Sequence, residues 1–322
     1  MRRTIVASLM LGLSACDSST NPDAALAPPQ AHVVEPFVSA HRGGAAYAPE
    51  NTLLAYENAA RLGVDDFEAD MLVTADGVPI LMHDDTLDRT TDCTGPVVDK
   101  SYDEIRACDA AYWFSPGQPT TRPDESLPHP LRGSGVRVPS VEELFAYAAS
   151  LGSYQPTVTI EIKISFTGVE GVTTEWMEAV DALVPLIQQS GIQDRIIVQS
   201  FNPFAIDAVK QRDPTIKTLY LTPSGAAPNL AYAAARGHEY VSPEFGSPDL
   251  TAELVDSAHA LGKQVVPWTA DSAADLQALI DIGVDGIITN FPGCLLEMQG
   301  RTRSRQLTPA EAGGADVPAC RE

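Results

Sequence analysis

Four short runs of the chain carry side chains able to do chemistry together. They are His41-Arg42-Gly43-Gly44, Glu68 with Asp70, His83-Asp84, and Glu161 with Lys163. Glu68 and Asp70 are two residues apart, as are Glu161 and Lys163, so on an extended backbone each pair points to one side. An inward face bearing these four groups is costly if buried without partners. One divalent cation offsets that cost, and three carboxylates suit Ca2+ or Mg2+ better than zinc, which prefers His and Cys. The same residues also fit a salt-bridge cluster in which Arg42 and Lys163 neutralise the acids. Imidazole titrates near neutrality, so His41 and His83 can divide the work of accepting and donating a proton, as displacement at a phosphodiester requires. His32, His129, His238 and His259 fall away from the acids and are read as bystanders.

What must position these groups is a series of short β-branched or apolar runs, each followed by a turn and a helix of 3.6-residue spacing. Strands are expected at 37–40, 66–72, 158–163, 195–200, 217–221, 240–243, 264–268 and 286–289. Such alternation predicts a parallel sheet covered by helices, and eight strands is the count for a closed (β/α)8 barrel. An extra strand at 78–83 hairpins back through Ala75-Asp76-Gly77. All four chemical runs then sit at or near the carboxyl ends of strands, where barrel enzymes build their sites. Ser140 with Glu143 reads as a capping box, and Asn202-Pro203 as a helix cap with proline at the first position. Between about 92 and 138 the alternation stops and prolines accumulate, predicting an irregular insertion after the His83 hairpin, either a lid or an unspecialised excursion.

Residues 1–16 have another character. Arg2 and Arg3 precede a short apolar stretch ending in Leu13-Ser14-Ala15-Cys16, the layout of an export signal too short to span a bilayer. Small residues before a cysteine resemble a bacterial lipoprotein signal, with Cys16 as the lipidated residue; an ordinary signal peptide cut nearby is the alternative. Residues 17–36 are too poor in large apolar groups to fold and read as a tether. The expectation is an exported protein, membrane-anchored through its lipid and facing the periplasm or cell exterior. Cys93, Cys108, Cys294 and Cys320 then remain, and pairing 93 with 108 and 294 with 320 is favoured because each pair brackets a short irregular segment. The net charge of −22 argues against a nucleic-acid partner.

The ordered motifs extend further. His41-Arg42-Gly43, Pro49-Glu50-Asn51-Thr52, Glu68 and Asp70, Asp76-Gly77, His83-Asp84, Arg89-Thr90-Thr91, Glu161-Ile162-Lys163, Trp268-Thr269 and Gly286 to Asn290 together resemble the glycerophosphodiester phosphodiesterase signature. The resemblance covers roughly 38–292, within a domain at 37–300 followed by a tail at 301–322. It implies a TIM barrel that cleaves a small glycerophosphodiester to glycerol 3-phosphate and an alcohol. It also implies metal ligation by Glu68, Asp70 and Glu161, acid and base work by His41 and His83, and substrate contact by Arg42, Lys163 and Trp268. Glu50 and Asn51 either orient this shell or cap the helix beginning at Thr52. A phospholipase D-like or C-like enzyme on intact lipids, or a surface lipoprotein with a binding role, are the rival readings. An enzyme on intact lipid should expose apolar loops at the barrel mouth, and Tyr112-Trp113-Phe114 is the only cluster of that kind.

Overall fold

The structure, a computed structural model, describes residues 35–119, 123–163, 175–223, 226–301 and 320–321. The expectations for the signal, Cys16 and most of the tether and tail lie outside these residues. Nine strands are described: β1 Phe37–Ala40, β2 Asp66–Val73, β3 Pro79–Leu81, β4 Thr157–Ile162, β5 Ile196–Ser200, β6 Lys217–Thr222, β7 Tyr240–Pro243, β8 Gln264–Val265 and β9 Gly286–Thr289. Helices α1 Leu53–Leu62, α2 Tyr102–Arg106, α3 Val141–Ser150, α4 Glu175–Gln189 and α5 Pro203–Arg212 come from the first part of the chain. They are followed by α6 Ala226–Arg236, α7 Ala252–Ala260, α8 Ala273–Asp281 and α9 Pro292–Met298.

Eight strands run parallel in the order β8-β7-β6-β5-β4-β2-β1-β9, with β3 antiparallel on β2. Between β8 and β9 three backbone bonds bridge the remaining gap: Asp285 N–H to Val265 O, Ile288 N–H to Pro267 O and Ala270 N–H to Ile288 O. This is the expected (β/α)8 barrel, nearly closed. The eighth strand is shorter than the expected 264–268 because Pro267 has no N–H to give a ladder. Strand side chains such as Val38, Phe67, Ile160 and Val198 are buried beneath the helices, in one continuous core with Leu144, Leu183 and Leu276.

Local chemistry explains the helix starts. Ser140 and Glu143 form the full capping box, and Asn202 Oδ1 accepts the Phe204 N–H just before Pro203. The segment after the hairpin packs Leu87, Val97 and Ile105 onto Leu72 of β2 and Ile80 of β3 in a satellite core, tied by a Cys93–Cys108 disulfide; Cys294 and Cys320 form the second. Tyr112 and Trp113 are half-buried, with the Arg132 guanidinium 4.2 and 4.9 Å from their ring centres, so they pack within the insertion instead of forming an apolar tip.

Candidate active site

The site begins where β1 ends. Its next residues, His41–Gly43, make a single tight turn in which Arg42 adopts φ 53°, a left-handed conformation that non-glycine residues avoid. The turn presses on α1, since a Cβ on Gly43 would fall 2.6 Å from the Ala55 Cβ. The Arg42 N–H donates to Glu68 Oε2 at 2.8 Å, which secures the turn to β2.

Parallel register then assembles the acids. Asp70 of β2 stands beside Glu161 of β4, and Glu161 beside Gln199 of β5. Glu68, Asp70 and Glu161 are all buried, and oxygens from the three lie within 4.8 Å of one another. Lys163 Nζ stands 3.1 Å from Glu161 Oε1 and 3.7 Å from Asp70 Oδ1; Arg42 Nε is 3.2 Å from Asp70 Oδ2. These cations do not balance the cluster. Burial and the neighbouring negative charge of Asp70 outweigh Lys163 and push the Glu161 carboxyl up to about 7, and burial with Asp70 raises Glu68 too. Asp70 goes the other way because Arg42 and Lys163 outweigh its burial. An all-oxygen, under-neutralised trio fits a hard divalent cation.

The two histidines flank this trio and are held differently. His41 Nδ1 is 2.7 Å from Asn290 Oδ1, while the Asn290 amide and backbone N–H both donate to Asp271 at 2.9 Å. Burial and the adjacent Arg42 lower the His41 ring to about 3, so it is neutral at pH 7. His83 Nδ1 is 2.7 Å from Asp84 Oδ1, and Arg89 binds both oxygens of the same Asp84. Arg89 also takes both oxygens of Glu50, whose Oε1 receives Arg42 NH1 at 2.9 Å. Glu50 therefore sits between the Arg42 and His83 sides of the site. Asn51 Nδ2 donates to Asp70 Oδ2 at 2.8 Å, and the N-cap of α1 is Thr52, so neither Glu50 nor Asn51 is the cap.

His41, Arg42, Glu68, Asp70, His83, Glu161, Lys163 and Trp268 all line one cleft of about 430 Å³. Trp268 forms a wall with Phe201, their rings edge-to-face at 5.3 Å. The three bystander histidines among the described residues stay away: His238 is buried between Thr218 and Asp207, His259 meets Asp285 and His129 meets backbone carbonyls, while His32 lies outside the described residues. Sequence reasoning missed Gln199, Asp271 and Arg321, which line the same cleft, and gave Asn290 no role. A lone polar residue in the run Ile196-Ile197-Val198-Gln199 was a usable sign for Gln199; nothing local marks Arg321.

Residues 41–294 match the model of the glycerophosphoryl diester phosphodiesterase family. The chain belongs to that family. A glycerophosphodiester phosphodiesterase of Caldanaerobacter subterraneus is 31% identical over 262 residues, 81% of this chain and 97% of its own length. One from Bacillus subtilis is 31% identical over 258 residues, covering 79% and 83%. Among solved structures, a family member from Silicibacter pomeroyi superposes with a TM-score of 0.70 at 27% identity, covering 84% of this chain and 95% of that one. A phosphodiesterase from Oleispira antarctica, solved with its product sn-glycerol 3-phosphate, gives 0.67 at 25% identity, covering 84% and 97%. The chain is thus a phosphoric diester hydrolase of the glycerophosphodiester phosphodiesterase class, and the barrel and cleft belong to that class.

Proposed function

We propose that the cleft hydrolyses small glycerophosphodiesters to sn-glycerol 3-phosphate and an alcohol, with His41 and His83 exchanging protons beside one divalent cation. The observation that carries this reading is the union, in one cleft, of a buried carboxylate trio with two imidazoles, each held through Nδ1 by a side-chain oxygen. The Oleispira antarctica relative with bound sn-glycerol 3-phosphate supports the product. Glu68, Asp70 and Glu161 would hold Ca2+ or Mg2+, which supplies Lewis-acid polarisation of a phosphate oxygen and of the attacking hydroxyl.

The residues divide the remaining work. With Asn290 Oδ1 facing His41 Nδ1, the proton of the neutral ring sits on Nδ1 and leaves Nε2 as a base for the glycerol hydroxyl next to the phosphate. That oxygen attacks phosphorus and the alcohol departs, taking a proton from His83 Nε2. Asp84, against Nδ1, fixes the His83 ring and stabilises its charge. Arg42 and Lys163 spread the charge gathering on the phosphoryl oxygens. In the second half His83 deprotonates water, which opens the cyclic phosphate, and His41 returns its proton to the ring oxygen. Trp268 contributes an apolar wall to the bound substrate.

The lipid anchor at Cys16 is part of the proposal. It rests on the sequence of residues 1–16, and the two disulfides support export to an oxidising compartment.

The deciding assay supplies glycerophosphocholine and other glycerophosphodiesters to metal-stripped protein, then adds Ca2+, Mg2+ or Zn2+ separately, beside His41→Ala. Ion-dependent release of sn-glycerol 3-phosphate, abolished by the substitution, is expected. No release with any ion would sink the substrate class.

A further inference from the structure

Three arginine and lysine side chains line the cleft among the described residues: Arg42, Lys163 and Arg321. The first two are held by carboxylates. Arg321 is not. Its nearest carboxylate oxygen, Asp271 Oδ2, is 3.9 Å from NH1, and its guanidinium makes no hydrogen bond among the described residues. Asp271 is already committed to Asn290 through both oxygens. The Arg321 backbone, in contrast, is fixed. Its N–H donates to Asp271 O at 3.2 Å, it forms a parallel bridge with Ser272, and the preceding Cys320 is bonded to fully buried Cys294 on α9. A pinned backbone thus presents a 66% exposed side chain with free donors at the cleft.

A planar fork of N–H donors is built to grip an oxyanion. The position also has an electrostatic purpose, because four carboxylates line the cleft and the chain carries −22, which repels an anionic substrate. We propose that Arg321 is a substrate-binding residue, delivered to the cleft by the Cys294–Cys320 disulfide, where its guanidinium takes an oxyanion of the incoming ester. This rests on reading the cleft as a phosphodiesterase site. The oxyanion belongs either to the scissile phosphate or to an acidic group on the alcohol.

The test compares Arg321→Ala and Arg321→Lys with the unaltered enzyme on glycerophosphocholine, whose phosphate is its sole anion, and on glycerophosphoserine, which adds a carboxylate. Arg321→Ala is expected to raise KM roughly tenfold with kcat within about twofold, and lysine to restore part of it. An equal rise for both substrates assigns the contact to the phosphate, and a rise for glycerophosphoserine alone assigns it to the alcohol. Unchanged KM on both overturns the contact, as does a loss confined to kcat, which would mean action through Asp271 and Asn290 on His41. Replacing Cys294 and Cys320 by serine together should reproduce the KM rise and add nothing to Arg321→Ala; additive effects overturn delivery by the disulfide. Calorimetric titration of sn-glycerol 3-phosphate separates this inference from the functional one. If the unaltered enzyme turns over neither substrate, the functional reading fails, yet roughly tenfold weaker binding in Arg321→Ala still upholds the contact. Equal binding of sn-glycerol 3-phosphate overturns the phosphate contact; equal binding of glycerophosphoserine to that inactive enzyme as well, or no binding of either to the unaltered protein, overturns the inference.

Discussion

Asn290 Oδ1 stands 2.7 Å from His41 Nδ1 and thereby sets which ring nitrogen is left free. The side-chain amide cannot turn over without losing its Nδ2–H bond to Asp271 Oδ2. Asn290→Ala should therefore lower kcat about 100-fold while KM moves by less than about threefold, because base positioning is lost and binding is not. Steady-state kinetics on glycerophosphocholine measure both constants, and an effect confined to KM would contradict the assignment.

The acidic trio predicts a stability effect separable from turnover. With Ca2+ or Mg2+ at about 100 times its Kd, the folded state gains ~2.7 kcal/mol, a rise of several degrees in the unfolding midpoint. Asp70→Asn should remove most of that rise. Scanning calorimetry with and without ion reads it, and an ion response unaltered in Asp70→Asn would place the ion elsewhere.

Gln199 makes a finer prediction. Its Nε2 donates to Glu68 Oε1 at 2.7 Å, while its buried Oε1 has no partner among the described residues. The Nε2 bond holds the Glu68 carboxylate in place, and Gln199→Leu is expected to lower kcat/KM roughly tenfold. Full activity in this variant would show that this bond does not matter.

Glu50 ties the site to acid stability. Burial alone would raise its carboxyl, but Arg42 and Arg89 outweigh burial and lower it to about 2. A carboxyl depressed in the folded state stabilises fully above its unfolded value of about 4.5 and loses that contribution as pH falls toward 2. The shift corresponds to about 3 kcal/mol. Glu50→Gln should lose an amount of this order at pH 7 and flatten the stability profile between pH 4.5 and 2. Urea unfolding at a series of pH values follows this, and an unaltered acid limb would contradict it.

The Cys93–Cys108 bond closes a loop 15 residues apart in sequence over the satellite core. Replacing both cysteines with serine should cost about 3 kcal/mol, observable as a lower urea midpoint. No change would mean that the insertion contributes nothing to global stability.

Much of this was legible in the chain itself. Hydrophobic periodicity located all eight barrel strands to within a few residues, because strands buried beneath helices must be continuous and apolar. Capping residues placed the starts of α3 and α5, since their side-chain bonds are local. The chemical types at His41, Glu68, Asp70, His83, Glu161 and Lys163 marked the site because charged groups at strand ends are costly without a purpose.

What the sequence could not decide is which of these groups touch. Barrel register alone sets Asp70 beside Glu161 and Glu161 beside Gln199, and register is a property of pairs of strands far apart in the chain. The bond from Asn290 to His41 spans 249 residues, so the partner of His41 could not be read from its neighbours, whereas that of His83, Asp84, stands next to it in the chain. Arg321 is the extreme case. Among the described residues, the Cys294–Cys320 bond, the bridge to Ser272 and the N–H bond to Asp271 O bring it to the cleft. Local sequence thus determined the elements and the chemical inventory. Long-range pairing, whose free energy depends on the whole barrel closing, decided the partners on which the proposed division of labour between the histidines rests.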